Sequence, residues 1–420
     1  MLKKLGGFMR RLNDRYNKLK EMNARYVNEQ EASRAIVCHG LPVHFTVENT
    51  NRCNLRCPHC QIHSPDYHYT YAKRHVDMDL ALFEKLAHET FPWVKRVCLT
   101  VSGEALMSRN FDTVCDVLES YGVGLEINSN GTLLTEKNIR KMLGLLQWVT
   151  VSFDGFRKET FETWRAGADY DRVIANVRTF NRLREALPAT LRPHLNFTYV
   201  LMRENIEEFP AFVDLADELQ ADSIAGTHVV VFDEPMRHQS LIYHKVLGND
   251  CLARARNRAA KIGLTAYIPP DFDLSGGDAM GMCSMNSGNI PRQVDCSFLW
   301  RRSYLELNGD VPTCCVSGRP VVDNLREKSF WDIWNGENYR WMRASLSGKR
   351  MLACCANCSI DPVHIRRGTE RAFIIPQEKA NSRSQEELFP LVYAVREEAQ
   401  DARMSSIPEL KRFDGDEMTA

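Results

Sequence analysis

The chain has 420 residues, enough for two or three domains, and its 44% hydrophobic and 26% charged content is that of an ordinary globular protein with a sizeable core. Lys plus Arg and Asp plus Glu number 54 each, which gives no basic surface for nucleic acid and no acidic disordered chain. Fourteen cysteines without a secretory signal segment argue for reduced, partly metal-bound thiols in a cytoplasmic protein, and no apolar run reaches about 18 residues, so no transmembrane segment is expected.

From the N-terminus, Leu2, Leu5, Phe8, Met9, Leu12, Tyr16, Leu19 and Tyr26 recur at helical spacing, with Lys3, Lys4, Arg10, Arg11, Arg15, Lys18 and Lys20 on the other positions. This predicts an amphipathic helix within residues 1–40, either packed on its own domain with a solvated basic face or lying on an anionic membrane surface. From Val43 the pattern becomes short apolar runs separated by helical stretches. Strands are predicted at 43–48, 97–102, 124–129, 149–153, 195–201 and 223–231, and helices at 79–89, 111–121, 136–146, 170–187 and 206–219. Such alternation calls for an α/β fold, a partial (β/α)6 TIM-like barrel over residues 41–235 whose chemistry lies in the loops at the carboxyl ends of the strands.

Directly after the first strand comes Cys53-Asn-Leu-Arg-Cys57-Pro-His-Cys60, three thiols within eight residues. On spacing this is a metal site, either a zinc knuckle seeking a fourth ligand or a cluster of four irons held by three cysteines with one iron open. After the second strand, Ser102-Gly103-Glu104-Ala105 offers small residues and one carboxylate; after the third, Asn128-Ser129-Asn130-Gly-Thr132 offers amide and hydroxyl groups, with Thr135 a helix cap; after the fourth comes Ser152-Phe-Asp154-Gly155. Each alone reads as a turn, but they recur at successive strand ends.

The cysteine loop resembles the signature of the radical S-adenosylmethionine (SAM) superfamily. Ser102–Ala105 looks like a variant of its G-G-E-P motif, with Ser102 and Ala105 in place of Gly and Pro, and Asn128–Thr132 like its T-N-G segment. Ser152 to Gly155 with Thr160–Arg165 is similar to its S-x-D-G…R region. The resemblance spans about residues 43 to 232. It implies a [4Fe–4S] cluster on Cys53, Cys57 and Cys60 whose open iron is chelated by SAM, with Gly103 and Glu104 at the methionine amino group. It further implies Ser129 and Asn130 at the ribose, Ser152, Asp154 and Arg165 at the carboxylate and ribose, and His59 where an aromatic packs over the adenine.

Residues 236–290 read as a connecting region, with a helix over 243–262, breaks at Pro269-Pro270, Gly276-Gly277, Gly281 and Gly288, and Cys251 and Cys283 as buried structural thiols. Within 291–370, segments 302–307 and 311–313 predict a β-hairpin with an Asn308-Gly309 turn that brings Cys296 to Cys314, and helical residues from Phe330 to Leu346 return Cys355 and Cys358. Four such thiols suit zinc or an iron–sulfur cluster equally. The spacing resembles the SPASM/twitch domain, a smaller cysteine-rich α+β unit, and implies one auxiliary [4Fe–4S] cluster on Cys296, Cys314, Cys355 and Cys358. His364 and Gly368 stand where ligands of a second auxiliary cluster would be expected, and the adjacent Cys315 and Cys354 leave the ligand choice open by one position. Residues 371–420 read as a peripheral helix near 386–403 and a polar tail.

The resemblance implies an oxidoreductase-type enzyme: an external one-electron reductant such as flavodoxin or ferredoxin reduces the first cluster, SAM is cleaved to a 5′-deoxyadenosyl radical, and the radical abstracts a substrate hydrogen. The auxiliary cluster would accept an electron and make the reaction a dehydrogenation. The segment before Val43 reads as one helix, too short for a leader-binding winged-helix module, and a single auxiliary cluster is similar to twitch-type dehydrogenases. Both point to a small polar metabolite as substrate ahead of the alternative, a ribosomal peptide. A reading of another class is a non-catalytic zinc or iron–sulfur interaction protein. No catalytic acid or base is identified.

Overall fold

The structure, a computed structural model, describes residues 2–65, 76–232, 234–274, 296–315 and 321–346, together with 355, 358, 365, 366 and 368, and side chains from residue 16 onward. The expected segment 386–403, as well as Cys283, Cys354 and His364, lies outside the described residues.

Six strands alternate with helices as expected: β1 (His44–Val47), β2 (Arg96–Cys98), β3 (Gly124–Ser129), β4 (Leu146–Ser152), β5 (His194–Leu201) and β6 (Ser223–His228). Between them run α2 (Leu80–Thr90), α3 (Phe111–Ser120), α4 (Glu136–Met142), α5 (Lys158–Trp164), α6 (Tyr170–Glu185) and α7 (Phe209–Glu218), following α1 (Leu2–Ala32). Asp79, Thr135 and Asp169 cap α2, α4 and α6 by accepting backbone N–H bonds, which satisfies donors that a helix start leaves open. Two further strands complete one open parallel sheet in the order β7-β6-β5-β4-β3-β2-β1-β8. β7 (Thr265–Tyr267) follows α8 (Lys245–Ile262), so part of the expected connecting region extends the sheet.

Period-two alternation sorts the strand side chains. Phe45, Val47, Val97, Leu99, Leu125, Ile127, Val149 and Val151 are buried under the helices, while His44, Thr46, Arg96, Cys98, Glu126, Asn128 and Thr150 line the interior. The sheet therefore buries its apolar face outward against α2 to α7 and keeps a polar concave face.

The expected hairpin is replaced by a different pairing. β8 (Arg302–Leu305), following the short α9 (Phe298–Arg301), lies parallel to β1 in register His44↔Arg302 to Val47↔Leu305. β9 (Asp310–Pro312) pairs instead with β10 (Val321–Asn324), antiparallel. The Asn308-Gly309 turn forms, with Gly309 at φ 97°, but it joins strands of two sheets. The reason is burial: Ser303, Tyr304 and Leu305 gain an otherwise open sheet edge, and the buried Glu48 reaches across to accept the Leu307 N–H. The helical stretch after Phe330 is divided into α10 (Phe330–Trp334) and α11 (Glu337–Leu346) at Asn335-Gly336.

α1 packs on the domain through Lys20, Asn23, Val27 and Gln30, all buried at helical spacing. Lys20 Nζ donates to the carbonyls of Tyr121 at 2.8 Å and Gly122 at 2.6 Å, placing a cation at the C-terminal end of α3. Asn23 exchanges two hydrogen bonds with the backbone of Leu41, and Arg301 bonds Glu31. The described side chains of this helix, from Tyr16 onward, pack on its own domain. Among the described residues no helix is long and apolar enough to cross a membrane.

Candidate cofactor site and interior cavity

The loop after β1 holds Cys57 buried and Cys53 and Cys60 half-buried, all three free. Burial chiefly, with Glu104 and the other two thiols adding to it, pushes Cys53 up to about 11, and burial likewise raises Cys57. Unliganded Cys53 and Cys57 stay protonated, so metal binding must release their protons. Among the described residues no three His, Cys, Asp or Glu side chains converge as a single metal ion requires. Three neighbouring thiols supply the full protein ligand set of a cluster with one open iron and are one ligand short of a closed tetrahedral zinc.

The strand-end motifs meet around this loop. Glu104, only 2% exposed, accepts the Ser129 hydroxyl at 2.9 Å and the Asn130 N–H at 2.8 Å. Burial raises its carboxyl to about 7, against the pull of those two bonds. Asn130 Nδ2 donates to Asn54 at 2.9 Å and sits 3.9 Å from Cys53 Sγ, while its Oδ1 accepts from Thr132. Asn54 in turn donates to Thr132, so the amide inside the cysteine loop is tied to the end of β3. Gly103 is needed for a close approach of backbones: a Cβ there would lie 2.5 Å from the Thr50 carbonyl and 2.6 Å from that of Arg52. The Ser102 hydroxyl donates to Glu48.

On the opposite side, Asp154 is fully buried, accepting the Val200 N–H at 2.7 Å through Oδ1. Arg165 Nη2 lies 2.6 Å from Asp154 Oδ2, an ion pair in distance but off the line of a good hydrogen bond, and Nη1 reaches Cys57 Sγ at 3.9 Å. Burial opposes the Arg165 charge, but Asp154 and the thiols of Cys57 and Cys60 outweigh it and raise its proton affinity. His59 is brought to the same carboxylate, Nε2 3.4 Å from Oδ2, with its ring tilted against Trp164. Burial lowers it to about 4, so the imidazole is neutral at pH 7. His59 Nδ1 and Arg165 Nε are buried without a hydrogen-bond partner among the described residues. Gly155 lets α5 close over this corner, since a Cβ would meet the Phe161 nitrogen at 2.4 Å. Ser152 stands half-buried at the end of β4, beside Thr198 in register. Three thiols, a buried carboxylate and unsatisfied donors on one rim fit an iron–sulfur cluster with a charged, polar ligand at its open face.

In the C-terminal region Cys296, Cys314, Cys355 and Cys358 are half-buried and Cys315 is exposed. Arg34 donates to the Cys296 carbonyl at 3.0 Å. Burial raises the Cys296 thiol, with Cys315 near enough to add to the effect. Cys314 and Cys315 both act on Tyr304, whose phenol is raised chiefly by burial, so it stays protonated.

Strand periodicity without long-range pairing left one feature unassigned. A cavity of about 550 Å3 occupies the concave face of the sheet, from His44, Arg96 and Arg302 at the amino ends of the strands to Thr100, Asn128 and Cys315 toward the carboxyl ends. The signal available in the sequence was the polar half of each alternating strand.

A family model described as the radical SAM superfamily matches residues 47–216, and one for an iron–sulfur cluster-binding domain, SPASM, matches residues 296–359. The tungsten-containing aldehyde ferredoxin oxidoreductase cofactor-modifying protein of Pyrococcus furiosus is 23% identical over 336 residues, 75% of this chain and 86% of that protein. A PqqA peptide cyclase of Xanthomonas axonopodis pv. citri is 24% identical over 334 residues, covering 76% and 82%. Among solved structures, Streptococcus suis SuiB bound to S-adenosylmethionine aligns with TM-score 0.54 at 15% identity over 77% of this chain and 72% of that one. The chain anSMEcpe with bound AdoMet and Kp18Cys peptide aligns with TM-score 0.56 at 13% identity over 85% and 100%.

Proposed function

Because this chain belongs to the radical SAM superfamily and carries a SPASM-type domain, with a [4Fe–4S] cluster, SAM and auxiliary iron–sulfur binding as its cofactor chemistry, we propose that it oxidatively modifies a peptide. The expectation of a small polar metabolite gives way to its alternative, since relatives matching three quarters of the chain include peptide cyclases. The observation that carries the reading is the alignment with a peptide cyclase along three quarters of the chain; the cavity of about 550 Å3 is large enough to take a side chain or short segment of such a substrate. It reaches from a charged amino end to the loops at the strand ends and borders Cys315 beside the auxiliary cysteines.

When bound, the cofactors supply a 5′-deoxyadenosyl radical for hydrogen-atom abstraction and an acceptor for the remaining electron. The chain's own part is to hold and screen. Cys53, Cys57 and Cys60 hold the first cluster, and Cys296, Cys314, Cys355 and Cys358 the auxiliary one. Glu104, oriented by Ser129 and Asn130, takes the amino end of SAM, with Gly103 keeping its loop against the cysteine loop. Asp154 and Arg165 orient the far side, Ser152 lies beside them, and the neutral His59 offers an apolar face to the adenine. The Tyr304 phenol, protonated beside Cys315, is placed on the cavity wall to hold a proton near the substrate. A flavodoxin- or ferredoxin-type protein supplies the reducing electron.

The test is anaerobic incubation of the reduced protein with SAM and, separately, the peptide and low-molecular-weight fractions of producing cells. The reading expects 5′-deoxyadenosine formation stimulated by the peptide fraction with a mass change in one peptide. Stimulation by the low-molecular-weight fraction alone would refute it.

A further inference from the structure

Parallel pairing of β8, β1 and β2 sets Arg302, His44 and Arg96 abreast, since His44 is in register with both arginines. Strands lie about 4.8 Å apart, and residues in register on one face point the same way, so the three side chains form a row at the amino end of the cavity, where the two arginines reach solvent. Glu126 joins from β3: its Oε1 takes Arg96 Nη1 at 2.5 Å and its Oε2 lies 2.7 Å from His44 Nε2. This end thus carries two guanidiniums and one carboxylate, and that carboxylate is already taken by Arg96 and His44.

Arg302 is the unbalanced charge. Among the described residues it has no carboxylate partner, and its guanidinium stacks over Phe298 at 5.1 Å, beside the cavity. His44 is 6% exposed, with Nδ1 buried and unpaired. Since Glu126 can only accept, His44 Nε2 carries the hydrogen, and Nδ1 keeps its lone pair sealed from solvent. Burial lowers the proton affinity of His44, with Arg302 and Arg96 adding to the effect and Glu126 opposing it, in keeping with this neutral tautomer. With His44 and Arg96 engaged by Glu126, the Arg302 guanidinium is the cation at this end of the cavity left to meet a carboxylate.

We infer that Arg302, set beside the His44–Glu126–Arg96 group, forms an anchor for a substrate carboxylate, the acidic side chain of a peptide. This deepens the peptide reading above and rests on the cavity being the substrate's. The anchor also sets a spacing. From Glu126 to Ser129 and Asn130 at the cofactor rim is three to four residues, about 10 to 13 Å at ~3.3 Å per residue. An extended peptide rises by a similar step, so the acidic residue stands about three to four positions from the modified one.

The experiment measures binding to the holoenzyme with SAM by anaerobic equilibrium dialysis. The probes are an acetylated, amidated pentapeptide of four alanines ending in glutamate, the same peptide ending in glutamine, and glutarate with its amide. The wild type should prefer glutamate at least about tenfold, the value of one charge-assisted hydrogen bond. Arg302→Gln should reduce the preference below about threefold, and Arg302→Lys, which keeps the charge but loses the planar fork and its stack on Phe298, should retain only part of it. Arg302 is exposed and outside the core, so thermal melts of both variants should match the wild type. Equal affinity for glutamate and glutamine, an unchanged preference in Arg302→Gln, or no binding of any probe overturns the anchor. Arg302-dependent preference for glutarate over its amide, with no peptide bound, upholds the anchor and removes the peptide.

Discussion

Replacing Gly103 by Ala tests the link between backbone packing and the cofactor site. The new Cβ would stand 2.5 Å from the Thr50 carbonyl oxygen, 2.6 Å from that of Arg52 and 3.0 Å from the Arg52 nitrogen, all backbone atoms that no rotamer change can move. Comfortable contacts lie near 3.5 Å, so the two loops must separate by about 1 Å. That separation stretches the 2.7 Å bond from the Glu104 N–H to the Arg52 carbonyl. Loss of this bond costs about 1 kcal/mol and overpacking a further 1 to 3 kcal/mol, giving an expected destabilisation of about 2 to 4 kcal/mol. Cys53 follows Arg52 directly, so the same displacement carries a cluster ligand with it. Urea unfolding of the metal-free protein reads the first effect, and iron content after anaerobic reconstitution reads the second. An unfolding midpoint equal to the wild type's with full iron content would show that the close approach carries no strain, and the argument for Gly103 would fall.

Glu104 has a carboxyl raised to about 7 from an ordinary 4.5, so between those values the folded chain binds more protons than the unfolded one. The stability it contributes is full below about pH 4.5 and is lost as pH rises to 7, by about 2 to 3 kcal/mol, in metal-free protein. Glu104→Gln should flatten that part of the urea midpoint against pH, and an unchanged slope counts against the burial argument. Replacing Cys53, Cys57 and Cys60 together by Ala should abolish 5′-deoxyadenosine while about four irons remain at the auxiliary site; continued SAM cleavage defeats the assignment. Cys355→Ala should lower auxiliary iron and substrate oxidation more than Cys354→Ala, measured by iron analysis and product yield. Equal iron and turnover would mean a different ligand.

The cysteine loop, the strand–helix alternation and the strand-end motifs were legible because each is local: a metal loop needs a fixed spacing, and period two or 3.6 is written within a dozen residues. Gly103, Glu104, Ser129, Asn130 and Asp154 could be picked out for the same reason, each lying within a few residues of a strand end, and Arg165 closes the short helix that follows β4. Their connections were not visible. That Asn54 ties the cysteine loop to Asn130, or that Ser102 bonds Glu48, depends on how separate loops meet.

The pairing of Arg302–Leu305 with β1 was likewise decided only in three dimensions. The same residues suit a local hairpin equally well by alternation, and what selects the other partner is an open strand edge 258 positions earlier in the chain, with Tyr304 and Leu305 buried as a result. That choice sets Arg302 next to His44, and periodicity, which sees one strand at a time, carries no information about it. The residues were therefore chosen by the sequence, while their neighbours across the sheet were chosen by burial and backbone pairing in the folded chain.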